Sequence, residues 1–334
     1  MPEGPSVKKF YTLASRSVGK KILYVEGTTK QINKDELKGL ILCDCKVHGK
    51  NLFLGFSSVP PSEAFSLQRH AGDMEEGTSS QFSQIMTSQK SAHASSETSE
   101  QESGSSNTDG VKCLSNITEA DSTVTLVSGE AQKWLCFHFW MYGSVRANEL
   151  ARASQANKKG DWKDPIPRLI LRFDSSNFLV FYNCRMRWTA SPYSEPTSDI
   201  LREEFSHKQA LEALQRPQPV CYTLMNQRHF SGLGNIIKNE ALYMAGVNPM
   251  TLGSTLSTEK LHTVLQHALQ FSAGWLEKKL DKGKLSYKIY MKEKCPLGHD
   301  LQKGSLGPPK GLKRPSWWCP ECQPLIPVPE EVLQ

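Results

Sequence analysis

Residues 295–322 read CPLGHDLQKGSLGPPKGLKRPSWWCPEC and contain two closely spaced pairs of metal-binding side chains. Cys295 is followed by His299, and Cys319 is followed by Cys322, so that each pair can wrap one side of a tetrahedral ion. Thiolate and imidazole ligands favour zinc, and a set of this kind has no open coordination position. The pattern therefore predicts a structural Zn²⁺. The alternative, unliganded residues in a reduced protein, is disfavoured by the tight turn that CPEC indicates.

The segment between the two pairs carries the cationic residues Lys303, Lys310, Lys313 and Arg314. A hairpin held by a metal would present these residues on a rigid finger, which suits a nucleic-acid phosphate backbone. Zinc fingers have many functions, so the finger alone does not decide what the chain does. We assign it to residues 285–323, followed by a tail at 324–334.

Residues 191–284 have the pattern of a helical domain. Ser206 and Gln209 have the spacing of a capping box at the start of a helix, and a second helix is expected in VCYTLMNQ. FSGLGN then predicts a glycine turn, followed by a helix in IIKNEALYMA that ends at Gly246. A longer amphipathic helix is predicted at 257–280, with a buried face formed by Leu261, Val264, Leu265, Ala268, Trp275 and Leu276.

Residues 1–190 are predicted to form a β-rich domain with a short helix at its start. The helix is indicated by apolar residues at i, i+3, i+4 and i+7, namely Val7, Phe10, Tyr11 and Ala14. Strands are indicated by KILYVEG, KNLFLGF, KWLCFHFWMYGSV, PRLILRF and NFLVFYN. Between them, about residues 57–130 are rich in Ser, Thr, Gln and Glu and predict a disordered insertion. The fold class is therefore α+β, with strands on both sides of the insertion sharing one sheet system.

The 334 residues are enough for two domains of ordinary size, and the net charge is +6. Acidic residues are concentrated in the insertion, so the rest of the chain is more basic than this value and suited to polyanions. No apolar run has the length of a membrane span or a secretory signal, which predicts an intracellular protein without a membrane partner. The nine cysteines include six scattered ones without a disulfide-like spacing, which favours a reducing compartment.

Four features in this order resemble the formamidopyrimidine-DNA glycosylase and endonuclease VIII family. They are the opening MPEGP, the segment HGKNLF, the segment SGLGNIIKNEALYMAGVNP and the C-terminal finger. The finger has a Cys-His-Cys-Cys set where many members of the family have four cysteines. The resemblance covers nearly the whole chain except the insertion. It implies an N-terminal β-sandwich, a helix-two-turn-helix domain and a zinc finger.

The resemblance implies roles for three residues near the start of the chain. After removal of Met1, the secondary amine of Pro2 would attack the sugar C1′ of a damaged nucleotide and form an iminium. Glu3 would act as general acid and base. Lys50 would reach the DNA near the lesion and assist β-elimination. Without the resemblance, Glu3 is equally compatible with a carboxylate in the first turn of a helix, and Lys50 with a solvated lysine.

Further residues would bind the DNA. Arg314 would hold phosphate and assist δ-elimination, with Lys313 as the rival for this position, and Asn235 would bind phosphate together with the helix N-terminus beside it. Asn235 is also compatible with an ordinary cap after a glycine turn. Met141 and Arg185 are candidates for filling the void left by the everted base, but the phenylalanine of the family's RRFG motif is missing. A weakened wedge favours lesions in single-stranded or bubble DNA.

The chain is thus expected to be a monomeric nuclear enzyme of base excision repair. It would excise oxidised bases, chiefly oxidised pyrimidines, cleave the strand by β,δ-elimination, and bind damaged DNA and base excision repair proteins. The nuclear location follows from the expected substrate, since no compact run of Lys and Arg indicates an import signal. The alternative function is a zinc-dependent DNA-binding or adaptor protein that retains the scaffold without the chemistry.

Overall fold

The computed structural model describes residues 2–58, 133–154, 156 and 160–327. The disordered insertion predicted at 57–130 lies outside these residues, apart from its first two positions. Most of the tail predicted at 324–334 lies outside them as well. Every cysteine in the described part of the chain is a free thiol. No helix in these ranges combines the length and the apolar character needed to cross a membrane.

The chain begins with helix α1, Gly4–Ser15, which confirms the amphipathic pattern at its start. Val7 and Ala14 are fully buried and Phe10 nearly so, while Tyr11 is partly buried against the same core. The ring of Phe10 lies 4.8 Å from that of Phe139. Helix α1 therefore packs on the sheet through the predicted stripe, and this contact fixes the position of the residues that precede it.

Six antiparallel strands form one hydrogen-bonded sheet in the order β1-β5-β6-β4-β3-β2. Their bounds are Ile22–Glu26 for β1, Ile41–His48 for β2, Asn51–Ser57 for β3, Lys133–Ala147 for β4, Leu169–Phe173 for β5 and Phe178–Thr189 for β6. Strands β3 and β4 are neighbours although about 75 residues separate them in sequence. Strands on the two sides of the predicted insertion therefore share one sheet, as expected.

The sheet folds over on itself and forms the expected β-sandwich. Its two layers belong to one continuously hydrogen-bonded sheet rather than to two separate sheets. Phe137 of β4 pairs with Met186 of β6. Phe181 lies five positions further along β6, about 16 Å away in a flat sheet at ~3.3 Å per residue. Its ring nevertheless stacks on Phe137 at 4.4 Å. The bend coincides with a register shift in β4 between Phe139 and Ser144.

The helical domain contains α2, His207–Leu214, α3, Val220–Met225, α4, Asn235–Met244, and α5, Thr258–Leu280. The predicted signals are in place, because the Ser206 hydroxyl accepts a hydrogen bond from the Gln209 amide and Gly246 has a positive φ of 64°. Five of the six side chains expected on the inner face of α5 are buried, and Leu276 is partly exposed. Strands β7, Gln302–Leu306, and β8, Arg314–Trp318, form the C-terminal hairpin.

Candidate active site

A cavity of about 160 Å³ collects residues from both halves of the fold. The N-terminal half contributes Glu3 before α1, Lys50 from the turn between β2 and β3, and Met141 from the irregular part of β4. The remaining lining residues are Met225, Gly234, Asn235, Ile236, Tyr290, Arg314 and Pro315. Five residues that the sequence assigned to catalysis or DNA binding therefore meet in one place, although they are far apart in sequence.

Glu3 is the most deeply buried acid of this cavity, with 3% of its surface exposed. Its carboxylate accepts hydrogen bonds from the backbone N–H groups of Ile236, at 2.7 Å, and Ile237, at 3.2 Å. These are first-turn amides of α4, where the helix dipole favours a negative charge. Burial outweighs the opposing effects of Lys50 and the two amides, and it raises the pKa of Glu3. Glu3 thus retains its proton to higher pH than an ordinary glutamate.

Two glycines permit this close approach of distant segments. A Cβ on Gly234, the N-cap of α4, would lie 2.2 Å from the Cδ atom of Glu3. Gly49 has a φ of 53°, and a Cβ there would lie 2.1 Å from the hydroxyl of Ser231. Larger side chains at either position would push apart the start of the chain, the β2–β3 turn and the glycine turn.

Lys50 occupies the turn between β2 and β3, and only 7% of its surface is exposed. The structure therefore excludes the solvated lysine that was the alternative. Burial and the nearby Arg314 guanidinium lower the pKa of Lys50 to about 8, although the carboxylate of Glu3 opposes this shift. A substantial fraction of Lys50 is consequently neutral slightly above neutral pH.

Helix α4 holds the finger in place through one polar face. Asn235 donates to the carbonyl of Pro315 at 2.8 Å, and Asn239 accepts from the backbone N–H of Trp317 at 3.0 Å. Between them, the buried ammonium of Lys238 bonds to Asn235 at 2.9 Å and to the Ser316 hydroxyl at 2.6 Å. These bonds fix strand β8 and place Arg314, its first residue, beside the cavity.

The remaining predicted residues lie at different distances from this centre. Arg314 lines the cavity whereas the exposed Lys313 does not, which favours Arg314 in the earlier choice between them. Pro2 lines a neighbouring cavity of about 580 Å³, next to Glu3 in the chain. Arg185 lies in a third cavity on the outer face of β4 and β6. Asn235 is not the cap of α4, because Gly234 occupies that position.

Sequence analysis did not identify Lys238, Asn239, Glu240 or Tyr290. Glu240 is fully buried and accepts from the backbone N–H groups of Lys288, Ile289 and Tyr290, which fixes the segment leading into the finger. A signal was present, because polar residues at 235, 238 and 239 recur at i, i+3 and i+4 of this helix. Such spacing places them on one face.

The four predicted metal ligands form a tight cluster, with ligand atoms all within 4.8 Å of one another. His299 Nδ1 lies 3.4 Å from the Sγ atom of Cys322 and 3.7 Å from that of Cys319. Cys295 Sγ lies 4.0 Å from Cys322 Sγ. Tetrahedral zinc with ordinary bond lengths requires about 3.5 Å between nitrogen and sulfur and about 3.8 Å between sulfurs. The donor set therefore fits a tetrahedral metal ion, bound through Nδ1 of His299.

Replacement of Cys319 by Ser is expected to remove bound zinc, measured by metal analysis, and to reduce DNA binding at least about tenfold. The reason is that structural zinc contributes folding free energy and that Arg314 depends on the folded hairpin. Far-ultraviolet circular dichroism should change little, because the sheet and helices have their own cores. Ser305→Ala, at an exposed position in the same hairpin, is the control. A large loss of ellipticity in Cys319→Ser would show that the sheet and the helices depend on the finger, which would contradict this prediction.

Comparisons with known proteins agree with this arrangement. Residues 195–286 match the family model described as the formamidopyrimidine-DNA glycosylase H2TH domain. The protein Endonuclease 8-like 2 of Bos taurus is 46% identical over 334 residues, covering 99% of this chain and 98% of the relative. Its namesake of Homo sapiens is 42% identical over 340 residues, covering 100% of this chain and 99% of the relative.

Solved structures show the same fold at low sequence identity. A viral DNA glycosylase superimposes with a TM-score of 0.60 at 15% identity, covering 96% of this chain and 99% of that one. The formamidopyrimidine-DNA glycosylase of Lactococcus lactis, bound to DNA containing an AP site, superimposes with a TM-score of 0.59 at 18% identity and with the same coverage. Full-length similarity to the relatives, the matching domain and this fold together show that the chain belongs to the formamidopyrimidine-DNA glycosylase and endonuclease VIII family.

Proposed function

We propose that the chain is a bifunctional DNA glycosylase and abasic-site lyase of base excision repair. The observation that carries the proposal is the buried carboxyl of Glu3, which lies at the N-terminus of α4 and lines one cavity with Lys50 and Arg314. A protein that only binds DNA has no need to bury an acid and a lysine together at such an electrostatic cost. The names of the structural neighbours support the glycosylase activity.

Base excision begins at Pro2. Once Met1 is removed, the neutral proline nitrogen donates its lone pair to C1′ of the damaged nucleotide, and the bonding pair of the glycosidic bond leaves with the base. The attached nitrogen then loses its N–H proton, its lone pair expels the ring oxygen from C1′, and that oxygen takes up a proton, which leaves a cationic iminium between Pro2 and the sugar. A secondary amine is suited to this step, because its iminium carries a permanent positive charge.

Glu3 gives its proton to the departing base, accepts the N–H proton released by the attached Pro2 nitrogen, and passes it to the departing ring oxygen. A general acid must hold a proton at the working pH and lie next to the leaving atom. The raised pKa of Glu3 satisfies the first condition, and its position next to Pro2 in the chain supports the second. The carboxylate formed after proton transfer is stabilised by the amides of Ile236 and Ile237, and it then activates the water that hydrolyses the iminium.

Strand cleavage follows from the iminium as electron sink. Loss of a proton from C2′ expels the 3′ phosphate in β-elimination, and a further proton loss expels the 5′ phosphate in δ-elimination. Lys50 assists the first elimination and Arg314 the second, each next to a phosphate that carries away negative charge. Their shared cavity with Glu3 supports these roles.

The other residues hold the DNA around this centre. Asn235 lines the active-site cavity and is held by its hydrogen bond to Pro315, so its side-chain amide is placed to contact a phosphate there. Met141, 51% exposed beside the active-site cavity, enters the space left by the everted base, and Arg185 approaches that space from the outer face of β4 and β6. Lys313 adds charge at the edge of the finger. Zn²⁺ is the structural ion of the four-ligand cluster.

The proposed substrates are oxidised pyrimidines in single-stranded or bubble DNA, since the aromatic wedge of the family's RRFG motif is absent from NCRMRW. A lesion panel in single-stranded, bubble and duplex form tests this. Equal or greater excision from duplex would contradict the strand preference. We further propose a monomer in the nucleus that acts with other base excision repair proteins. Light scattering and cell imaging test the mass and the location.

The covalent intermediate gives the test of the activity itself. Borohydride reduces an iminium to a stable amine, so the enzyme should form a protein–DNA adduct with an oligonucleotide that contains an abasic site. An adaptor protein would bind the same oligonucleotide without forming an adduct. Absence of any adduct would therefore remove the proposed activity.

DNA affinity is expected to fall as pH rises through about 8, where Lys50 loses its proton in the free protein. Bound phosphate favours the charged form, so binding takes up a proton above this pH and weakens as the pH increases. Lys50→Arg keeps the charge and removes this part of the pH dependence. Fluorescence anisotropy with both proteins from pH 6 to pH 10 measures the difference, because all other groups titrate in both. Identical curves would contradict the role of Lys50.

A further inference from the structure

The outer face of the sheet carries a cavity of about 280 Å³ next to the active site. It is lined by Asn51, Cys136, His138, Trp140, Arg185 and Arg187. Asn51 is paired with His138 and His138 with Arg185 across three neighbouring strands, β3, β4 and β6. The alternate residues of β4, Phe137 and Phe139, are buried in the core on the other face. Strand alternation thus assembles this cavity on the outside.

The chemistry of the cavity suits a flat, polar aromatic ring. Trp140 is 47% exposed, and the Arg185 guanidinium lies 5.5 Å from the centre of its ring. The Nδ1 atom of His138 donates a hydrogen bond to the side-chain oxygen of Asn51, 3.0 Å away. An indole face provides stacking, and the cations attract phosphate. The volume of about 280 Å³ leaves room for one nucleobase.

The position of the cavity defines which base it would take. Lys50 and Met141 line the active-site cavity, and the residues next to them in the chain, Asn51 and Trp140, line the outer cavity. The two cavities are therefore adjacent, and neighbouring nucleotides of one strand can reach them. A base-paired nucleotide could not enter, because its ring would have to leave the stack.

We infer that this outer cavity binds the unpaired base that adjoins the lesion on the damaged strand, with Trp140 as its stacking surface. The inference rests on the proposed function only in that the chain binds damaged DNA. It provides a positive cause for a single-strand preference, because stacking on Trp140 is available only to an unpaired neighbour. It also places an aromatic side chain of β4 where the family's phenylalanine on β6 is missing.

The test uses the full-length protein and single-stranded oligonucleotides with a tetrahydrofuran abasic analogue, which cannot react. Trp140→Ala should raise the Kd between about 5-fold and about 150-fold, as for loss of one stacked base, and Trp140→Phe should restore most of the affinity. Trp162→Ala is the control, since this 68% exposed tryptophan lines neither cavity. A 2-aminopurine next to the analogue should lose fluorescence on binding, and Trp140→Ala should prevent this loss.

Each result decides the inference. An unchanged Kd for Trp140→Ala, or unquenched 2-aminopurine on both sides of the analogue, would overturn it. A duplex with 2-aminopurine opposite the lesion serves as a further probe. If only this 2-aminopurine is quenched, Trp140 contacts the other strand, which would also overturn the inference. Borohydride trapping by the native protein is scored separately. If the native protein is trapped on DNA but Trp140→Ala binds with unchanged affinity, only this inference is refuted. If binding depends on Trp140 but the native protein is not trapped, only the proposed enzymatic activity is refuted.

Discussion

Protein carrying a peptide extension in front of Pro2 is expected to form essentially no borohydride-stable adduct with abasic DNA. The extension converts the proline nitrogen into an amide, which has no lone pair available for attack, so the chemistry loses its nucleophile. Removal of a nucleophile costs on the order of 10³-fold or more. The measurement is the rate of adduct formation under single-turnover conditions. The same peptide at the C-terminus should leave the rate unchanged, which controls for the extension itself.

Two lysines are the rival nucleophiles. Burial lowers the pKa of both Lys50 and Lys238 to about 8, so each is partly neutral at neutral pH. Lys50 also lines the cavity. Mass spectrometry of the digested adduct distinguishes them, because each candidate lies in a different peptide. Attachment at Lys50 or Lys238, or full trapping by the blocked protein, would refute the role of Pro2.

Replacement of Glu3 by Gln should abolish excision of damaged bases while retaining adduct formation on a preformed abasic site, whose open-chain aldehyde has neither a base nor a closed ring to expel. Gln has nearly the same shape and can still accept from the amide of Ile236, but it cannot supply a proton. Loss of a general acid costs about 10²-fold to about 10⁴-fold. Rates on a lesion-containing and an abasic oligonucleotide give the two values. A parallel loss on both substrates would show that Glu3 acts on the position of Pro2 instead.

The rate of excision is expected to decrease at high pH because Glu3 loses its proton there. The pKa of Glu3 is raised, so its acid form persists above the usual range and disappears as the pH increases through that value. Excision should therefore decrease on the alkaline side, whereas the residual rate of Glu3→Gln should show no such decrease. Amine deprotonation at Pro2 acts in the opposite direction, which gives the native enzyme a bell-shaped profile.

Local signals predicted most of the elements correctly. The stripe of α1, the cap at Ser206, the turn before α4 and the stop at Gly246 all depend on neighbours within a few residues, and all are present. The metal cluster was also accessible to sequence, because ligand type and spacing are enough to define it. These features require no knowledge of long-range packing.

Contacts between distant segments could not be obtained in this way. Hydrogen bonds from α4 to Glu3 join residues more than 230 positions apart. They also use two of the helix amides that sequence analysis had assigned to a phosphate. The bend that stacks Phe181 on Phe137, and the burial of Lys50, likewise depend on how complete strands pack. Resemblance to a family supplied the site residues that spacing alone left undecided.

The hydrogen bonds between Glu3 and α4 have a consequence for inactivation. The proton donor belongs to one half of the fold, and the amides that hold it belong to the other. Each half has its own apolar core, so we expect the contact between the two halves to open under conditions in which both cores remain folded. Moderate urea should therefore abolish turnover at concentrations that leave the ellipticity unchanged. Dilution of the urea should restore turnover at once.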